Sequence, residues 1–265
     1  MNLVDEAASI ILSERKQSSI VRAFPPHLTL VNEQIAYEVQ DLVHEKMALS
    51  GCGPIAGYKI GCTTQVMQGF LGIDQPCAGS MNENQLFETK ARFCASDYIK
   101  PAIECELAVV MGRDLVLASD REVFVVEQVK KAVAGVMIAI EFVDDRYDDF
   151  SALGVNRLIA DDFFNVASIA GAPNLSWENL DLRSIEGRGY VNGTLLGKGV
   201  GGDILGDPLE ALTWLANKLA ERGKMLKAGD RVTLGSVVET YWVKPGDHIK
   251  VEFDGLAPVE VFVDD

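Results

Sequence analysis

No hydrophobic run in the 265 residues approaches the ~20 apolar positions that a membrane span requires. The first residues, Met1-Asn2-Leu3-Val4-Asp5-Glu6, lack the basic start and apolar stretch of a secretory leader, so a cytoplasmic location is expected. Cations are in short supply: 24 Lys and Arg against 39 Asp and Glu leave a formal charge of −15. Affinity for nucleic acid comes largely from neutralising phosphates with Lys and Arg, so no nucleic-acid partner is expected. The same charge disfavours an anionic membrane surface. The cysteines Cys52, Cys62, Cys77, Cys94 and Cys105 form no C-x-x-C pair, which argues against a thiolate zinc site or a disulfide framework and for reduced thiols. The histidines His27, His44 and His248 lack H-x-x-x-H spacing, and no G-x-S-x-G occurs. A histidine-based metal site and a Ser-His-Asp hydrolase are thereby disfavoured. The lysine of Gly193-Thr194-Leu195-Leu196-Gly197-Lys198-Gly199 has no following Ser or Thr and the wrong glycine spacing for a P-loop.

What is present is a globular composition, 48% hydrophobic and 24% charged, long enough to bury a sizeable core. The first ~70 residues read mainly as helix. Leu3, Ala7, Ile10 and Ile11 share one face behind Asn2, a candidate N-cap. Phe24-Pro25-Pro26 breaks the chain. Ile35, Val39, Leu42, Val43 and Met47 then form one apolar stripe of a helix over about 31–49, ended by Gly51. The texture next turns to short β-like runs, Ile55–Cys62 and Ala102–Met111, with a short helix over Thr63–Phe70 between them. Val123–Ala134 has an amphipathic helical pattern, followed by a buried strand over Val136–Val143. Asn192-Gly193 sits between two alternating runs as a type I′ turn. Asp207, Pro208 and Glu210 open a helix that Gly223 closes. Gly229-Asp230 and Gly246-Asp247 separate the last strands. With no repeat, low-complexity stretch or linker, the expectation is one α+β domain over 1–265: a mainly helical part over 1–75 and a β-rich core over 76–265.

The chemistry concentrates at Glu104-Cys105-Glu106. On a strand these two carboxylates share a face, about 6.6–6.8 Å apart at the backbone, flanked by apolar Ala102, Ala108 and Val110. Two ionised carboxylates on a half-buried face repel, and a divalent cation relieves them. Oxygen ligands suit Mg²⁺, Mn²⁺ or Ca²⁺. The alternative is a solvated edge with two ordinary glutamates. Glu141 lies inside the apolar run 136–143, where a buried charge needs a partner, and a neighbouring strand would bring it to the same place. Asp144, Asp145, Asp148 and Asp149 read mostly as a solvated loop. Lys59 is the one cation in Ala56-Gly57-Tyr58-Lys59-Ile60-Gly61; apolar surroundings would shift its pKa toward neutrality, unless it simply reaches out to solvent.

Taken in order, Gly57-Tyr58-Lys59-Ile60-Gly61, Glu104-Cys105-Glu106, Ala139-Ile140-Glu141, the run Gly206-Asp207-Pro208-Leu209-Glu210-Ala211-Leu212-Thr213-Trp214-Leu215-Ala216-Asn217, and Gly235-Ser236 resemble the 2-oxopent-4-enoate hydratase family of the fumarylacetoacetate hydrolase-like superfamily, over roughly residues 5–263. The resemblance implies packed, partly rolled mixed β-sheets with peripheral helices. It implies Mg²⁺ or Mn²⁺ held by Glu104, Glu106 and Glu141, with Lys59 near the substrate and Asp161 and Ser236 close to the site. It also implies a cytoplasmic homo-oligomer acting in the catabolism of aromatic compounds. Two positions depart from the family pattern. Gln75-Pro76-Cys77-Ala78-Gly79 has Cys77 where hydratases commonly carry Asp. Gly235-Ser236-Val237-Val238-Glu239 has Glu239 where they carry Arg, which disfavours a substrate with a second carboxylate.

The expected activity is therefore that of a hydro-lyase. It would add water to a 2-hydroxy-2,4-dienoate, a small 2-oxo acid in its enol form, to give a 4-hydroxy-2-oxo acid through a metal-stabilised enolate. Lys59 or a nearby carboxylate such as Asp161 would move the proton. Decarboxylation or C–C hydrolysis of a related 2-oxo acid would use the same enolate, and a non-catalytic oligomeric binding protein is the alternative of a different class.

Overall fold

The computed structural model describes residues 2–17, 20–21, 24–117, 119 and 122–265. In chain order the elements begin with α1 (Leu3–Glu14), α2 (Glu33–Met47), β1 (Ile55–Gly61), α3 (Gln65–Leu71) and β2 (Cys77–Asn82). There follow β3 (Leu86–Glu88), β4 (Lys90–Cys94), β5 (Pro101–Met111), α4 (Val126–Lys130), β6 (Val133–Asp144), α5 (Val155–Ala160) and β7 (Asn165–Ala170). The chain closes with β8 (Glu186–Val191), β9 (Thr194–Val200), α6 (Pro208–Glu221), β10 (Arg231–Ser236), β11 (Tyr241–Trp242), β12 (His248–Phe253) and β13 (Val259–Asp264).

The local signals explain most of these boundaries. The Asn2 side chain accepts from Asp5 N at 2.9 Å and Asn32 accepts from Ile35 N at 2.9 Å, so both N-terminal helices start on satisfied donors. Asp207 does the same for α6 through Leu209 N, with Pro208 in the first turn. Asn192 and Gly193 have φ of 51° and 79°, the left-handed pair a type I′ hairpin needs between β8 and β9.

The sequence pattern misleads at two places. Only Val126–Lys130 of the expected helix over Val123–Ala134 is helical. Before it, Phe124 N and O are both bonded by the Asn217 side chain of α6; after it, Val133 is drawn into the ladder opposite Met111. Tertiary pairing thus overrides the amphipathic pattern. In the acidic run, Asp148 and Asp149 are exposed, but Asp144 and Asp145 are buried. Asp144 accepts from Ile99 N and Lys100 N, which is why a carboxylate is tolerated there.

Two mixed sheets result, with helices packed against the larger one. The larger runs β2-β1-β10-β5-β6-β7-β3, with β11 added beside β5; the smaller runs β4-β13-β12-β8-β9. The neighbours β1 and β10, β3 and β7, and β4 and β13 are parallel. The small sheet packs on β5 and β6, and between them lie Ile103, Cys105, Leu107, Val109, Ile138, Ile140 and Phe142, all completely buried. Gly189 makes that approach possible, since a Cβ there would stand 2.8 Å from Cys105 Sγ. Helix α2 packs against α1 and α5, and α2 and α5 lie against β2. Because β1 sits inside the larger sheet, the first 75 residues share that sheet with the rest of the chain.

One close approach governs the strand that carries Lys59. Gly57 lies opposite Arg231 in the β1–β10 pair, and a Cβ there would meet the Arg231 carbonyl at 2.6 Å. Gly57→Ala is expected to spread these strands and lower stability by about 1–3 kcal/mol, the usual cost of overpacking. The urea midpoint at constant slope measures it.

Candidate functional site

The alternation of β5 sends Ile103, Cys105, Leu107 and Val109 into the core and Glu104, Glu106 and Ala108 to the opposite face. β6 runs antiparallel beside it, with Glu141 directly across from Glu104 and Ala139 across from Glu106. Partners across a ladder share a face, so all three glutamates project together. One carboxylate oxygen from each lies within 4.8 Å of the others. Among the described residues this is the one group of three His, Cys, Asp or Glu side chains so placed. The alternative of a solvated edge does not hold: Glu106 is 1% exposed and Glu104 is half-buried, while Glu141 is buried beside them.

Three carboxylates in so small a space are electrostatically costly. Burial, then Glu141, pushes the Glu104 carboxyl above its ordinary proton affinity, with Lys59 and the Thr240 hydroxyl opposing. Burial, then Glu141 and Glu104, pushes Glu106 well above. Each carboxylate has one fixed donor: Thr240 Oγ1 to Glu104 at 2.7 Å, Gly235 N to Glu106 at 3.1 Å and Asn165 Nδ2 to Glu141 at 2.9 Å. The remaining Glu141 oxygen, Oε2, is buried with no hydrogen-bond partner. An orphaned oxygen beside two carboxylates of raised proton affinity marks an environment that favours added positive charge.

Lys59 supplies part of that charge. Its Nζ lies 3.2 Å from Glu141 Oε1 and 5.4 Å from the centroid of the Phe163 ring, and the residue is 3% exposed. Gly79 of β2 leaves room for its stem, since a Cβ there would stand 2.9 Å from Lys59 Cγ. The expected shift toward neutrality is reversed in this arrangement. Burial alone lowers the proton affinity of the amine, but Glu141, Glu104 and Glu106 together raise it above the ordinary value.

The other two sequence-predicted residues stand behind this cluster. Ser236 is opposite Glu106, and its hydroxyl accepts from Cys105 N at 3.0 Å and donates to Val238 O at 2.7 Å. Both bonds go to backbone, and they fasten the β10 turn from which Gly235 N reaches Glu106. Asp161 is held by Arg15 Nε at 2.8 Å, Arg146 at 2.7 Å and Tyr147 Oη at 2.7 Å. Burial works to raise its pKa, but Arg146, Arg15 and Arg157 hold the carboxyl far below the ordinary 3.8. Glu239 is exposed on the loop before Thr240.

Sequence reasoning missed Thr240, Asn165, His44 and Asp162. Asp162 accepts from Ser80 N at 2.9 Å, His44 Nε2 at 2.8 Å and Arg15 at 2.7 Å. It opens three successive residues at positive φ, Asp162, Phe163 and Phe164, a strained turn that delivers the Phe163 ring to Lys59. The one sequence signal was the polar pair Gln40 and His44, four apart on the buried side of α2.

Residues 87–264 match the family model described as "Fumarylacetoacetate (FAA) hydrolase C-terminal". Over 255 residues, 96% of this chain and 93% of the relative, the chain is 29% identical to a 2-keto-4-pentenoate hydratase of Paraburkholderia xenovorans (strain LB400). It is 30% identical over 234 residues to a 4-oxalocrotonate decarboxylase of Pseudomonas putida, covering 88% of this chain and 85% of that one. Among solved structures, the 4-oxalocrotonate decarboxylase of Pseudomonas putida G7, complexed with magnesium and adipate, superposes with a TM-score of 0.89 at 27% identity, covering 98% of this chain and 97% of the other.

The Asp161 cluster sets an acid limit on stability. A carboxylate whose folded pKa is depressed contributes stability above its unfolded pKa and loses it as pH falls through the folded value. Asp161→Asn is expected to cost about 3–5 kcal/mol at neutral pH by leaving the buried Arg146 guanidinium without its carboxylate. The variant should also lose less of its remaining stability than the parent on acidification to pH ~3, as urea unfolding at the two pH values will measure.

Proposed function

The chain belongs to the fumarylacetoacetate hydrolase family, and on that footing we propose that it is a divalent-metal-dependent hydro-lyase. It adds water to a 2-hydroxy-2,4-dienoate to give a 4-hydroxy-2-oxo acid, in the catabolism of aromatic compounds. The observation that carries this reading is the convergence of Glu104, Glu106 and Glu141 on one buried point with Lys59 beside them. The hydratase relative spanning nearly the whole chain supports the same assignment.

The residues fit a hard cation. Three oxygen donors, two with raised proton affinity and one with an orphaned Oε2, suit Mg²⁺ or Mn²⁺, and the magnesium in the decarboxylase structure is in keeping with this. When bound, such a cation supplies positive charge toward the 2-oxo oxygen, where charge develops as the dienol rearranges. The chain's own groups do the rest. Lys59, which carries a proton at Nζ beside the carboxylates, would deliver it to C5 of the dienol, giving the conjugated 3-enone to which water adds at C4. As the carboxylates are neutralised, the attraction that holds the Lys59 proton weakens and burial favours its release. Ser236 aims Gly235 N at Glu106, and Asp161 with Asp162 holds the turn that seats Phe163 under the ammonium. Asp161, with both oxygens engaged, acts here by positioning.

A second reading, decarboxylation of a 2-oxo dicarboxylate, is favoured by the overall likeness to the decarboxylase. Against it stands Glu239, an acid where a second substrate carboxylate would want a cation. We further assign the protein to the cytoplasm as a homo-oligomer. Five free thiols suit a reducing compartment, and the exposed Val66, Met67 and Phe70 on α3 suit contact with another subunit.

With 2-hydroxypenta-2,4-dienoate and Mg²⁺ or Mn²⁺, the dienol absorbance should decay and the product should gain the mass of one water. No decay with any divalent metal rejects this substrate, and loss of CO₂ selects the second reading. Glu106→Gln should abolish metal-dependent turnover with the fold retained, and Lys59→Met should lower kcat by about 10²–10⁴. Raised proton affinities at Glu104 and Glu106 mean that a cation displaces protons, so Mg²⁺ affinity should rise with pH. Calorimetry in buffers of different ionisation enthalpy should register that proton release.

A further inference from the structure

Of the three donors to the glutamates, the one on Glu141 is a side-chain amide, and an amide can present either of its ends. Asn165 Nδ2 lies 2.9 Å from Glu141 Oε1. Turned about, Asn165 would set its Oδ1 against that oxygen, and two acceptors with no proton between them repel. What decides the direction lies on another element. Gln85 ends the short turn Glu83–Gln85 between β2 and β3, and its side chain is buried. Its Oε1 accepts from the backbone N–H of Asn82 at 2.9 Å. Its Nε2 donates to the Val166 carbonyl at 3.2 Å and to Asn165 Oδ1 at 3.1 Å. A backbone N–H can only donate and a backbone carbonyl can only accept, so the Gln85 amide has one orientation open to it. The Asn165 amide takes its own orientation from Gln85 in turn.

Glu141 is the end of this relay. Its Oε1 receives Asn165 Nδ2 and stands 3.2 Å from the Lys59 ammonium, while Oε2 is the buried oxygen with no hydrogen-bond partner. We propose that Gln85 is a positioning residue for the metal site: by fixing the Asn165 amide it holds Glu141 through Oε1 and keeps Oε2 for a divalent cation.

Asn82, Gln85, Asn165 and Glu141 are all buried, so a bond lost from the relay is not replaced by bulk solvent. Polar partners behind a metal ligand orient it, and removing one typically costs about 10–100-fold in metal affinity. The relay also ties the acid to the turn after β2, an element that carries none of the three glutamates. The proposal rests on the metal reading of the site and is independent of which reaction the site performs.

The test is Mg²⁺ binding to the full-length, metal-stripped protein, measured by calorimetry at pH 8, with circular dichroism to confirm the fold of each variant. Gln85→Glu keeps an acceptor for Asn82 N but has no N–H for Asn165 Oδ1, whereas Gln85→Met removes both bonds. Each should weaken Mg²⁺ binding roughly tenfold to a hundredfold, although the added charge of Gln85→Glu would by itself attract a cation. Asn165→Ala should weaken binding by at least as much. Adding Gln85→Glu to Asn165→Ala should then cost nothing further, because residues that act through one another are not additive. Unchanged affinity in Gln85→Glu, with or without a loss in Gln85→Met, confines Gln85 to holding the turn and overturns the proposal. Additive losses in the double variant overturn it as well. Should Gln85→Glu not fold, Gln85→Met alone and combined with Asn165→Ala decides by the same additivity. A parent that binds neither Mg²⁺ nor Mn²⁺ overturns the metal reading together with this proposal, whereas Mg²⁺ binding without dienoate turnover overturns the hydratase reading alone.

Discussion

Mutual repulsion of three buried carboxylates is the constraint around which the molecule is arranged. On their own face Lys59 and one donor apiece offset part of it; the opposite face of the same strands keeps Glu104, Glu106 and Glu141 in register. There Phe142, next in sequence to Glu141, stacks on Phe93 of the small sheet with ring centroids 4.2 Å apart, and Tyr98 meets it edge-on at 5.0 Å. Slipping β6 by one residue would turn Phe142 toward the acids and Glu141 toward the aromatic rings. Apolar packing between the sheets thus holds the charges in register.

The parts of this arrangement legible in the sequence were those written in local periodicity. The alternation of Ala102–Met111 placed Glu104 and Glu106 on one face, and the isolated acid in an apolar run singled out Glu141. The capping residues Asn2 and Asp207 and the Asn192-Gly193 turn marked element ends because their chemistry acts within a few residues. What could not be read depended on partners distant in the chain. The short α4 follows from Asn217 holding Phe124 and from Met111 pairing with Val133. The direction of the Lys59 shift depends on three acids on other strands, and burial taken alone gives the opposite sign. Asp161 reads as a free carboxylate in sequence and is an engaged one in space, because Arg15 and Arg146 come to it from elsewhere.

Behind the acids lies a second charged layer. Arg15, at the end of α1, and His44 of α2 converge on Asp161 and Asp162, and the strained turn that Asp162 opens holds Phe163 near Lys59. The N-terminal helices, which carry none of the three glutamates, are by this route part of the frame that fixes the lysine. Charges paired in the interior are a weak source of net stability but a strong determinant of which geometry persists.

The parallel pairing of β1 with β10 has a consequence for the order in which the protein is made. Lys59 reaches the acids across a sheet in which β10 separates its strand from β5, and β10 is synthesised about 170 residues after β1. While the chain is still emerging from the ribosome, the hairpin of β5 and β6 can bring its glutamates together, but β1, paired with β2, has no β10 to join it to them. Lysine and glutamates are therefore brought into one sheet only once β10 has been made, late in synthesis.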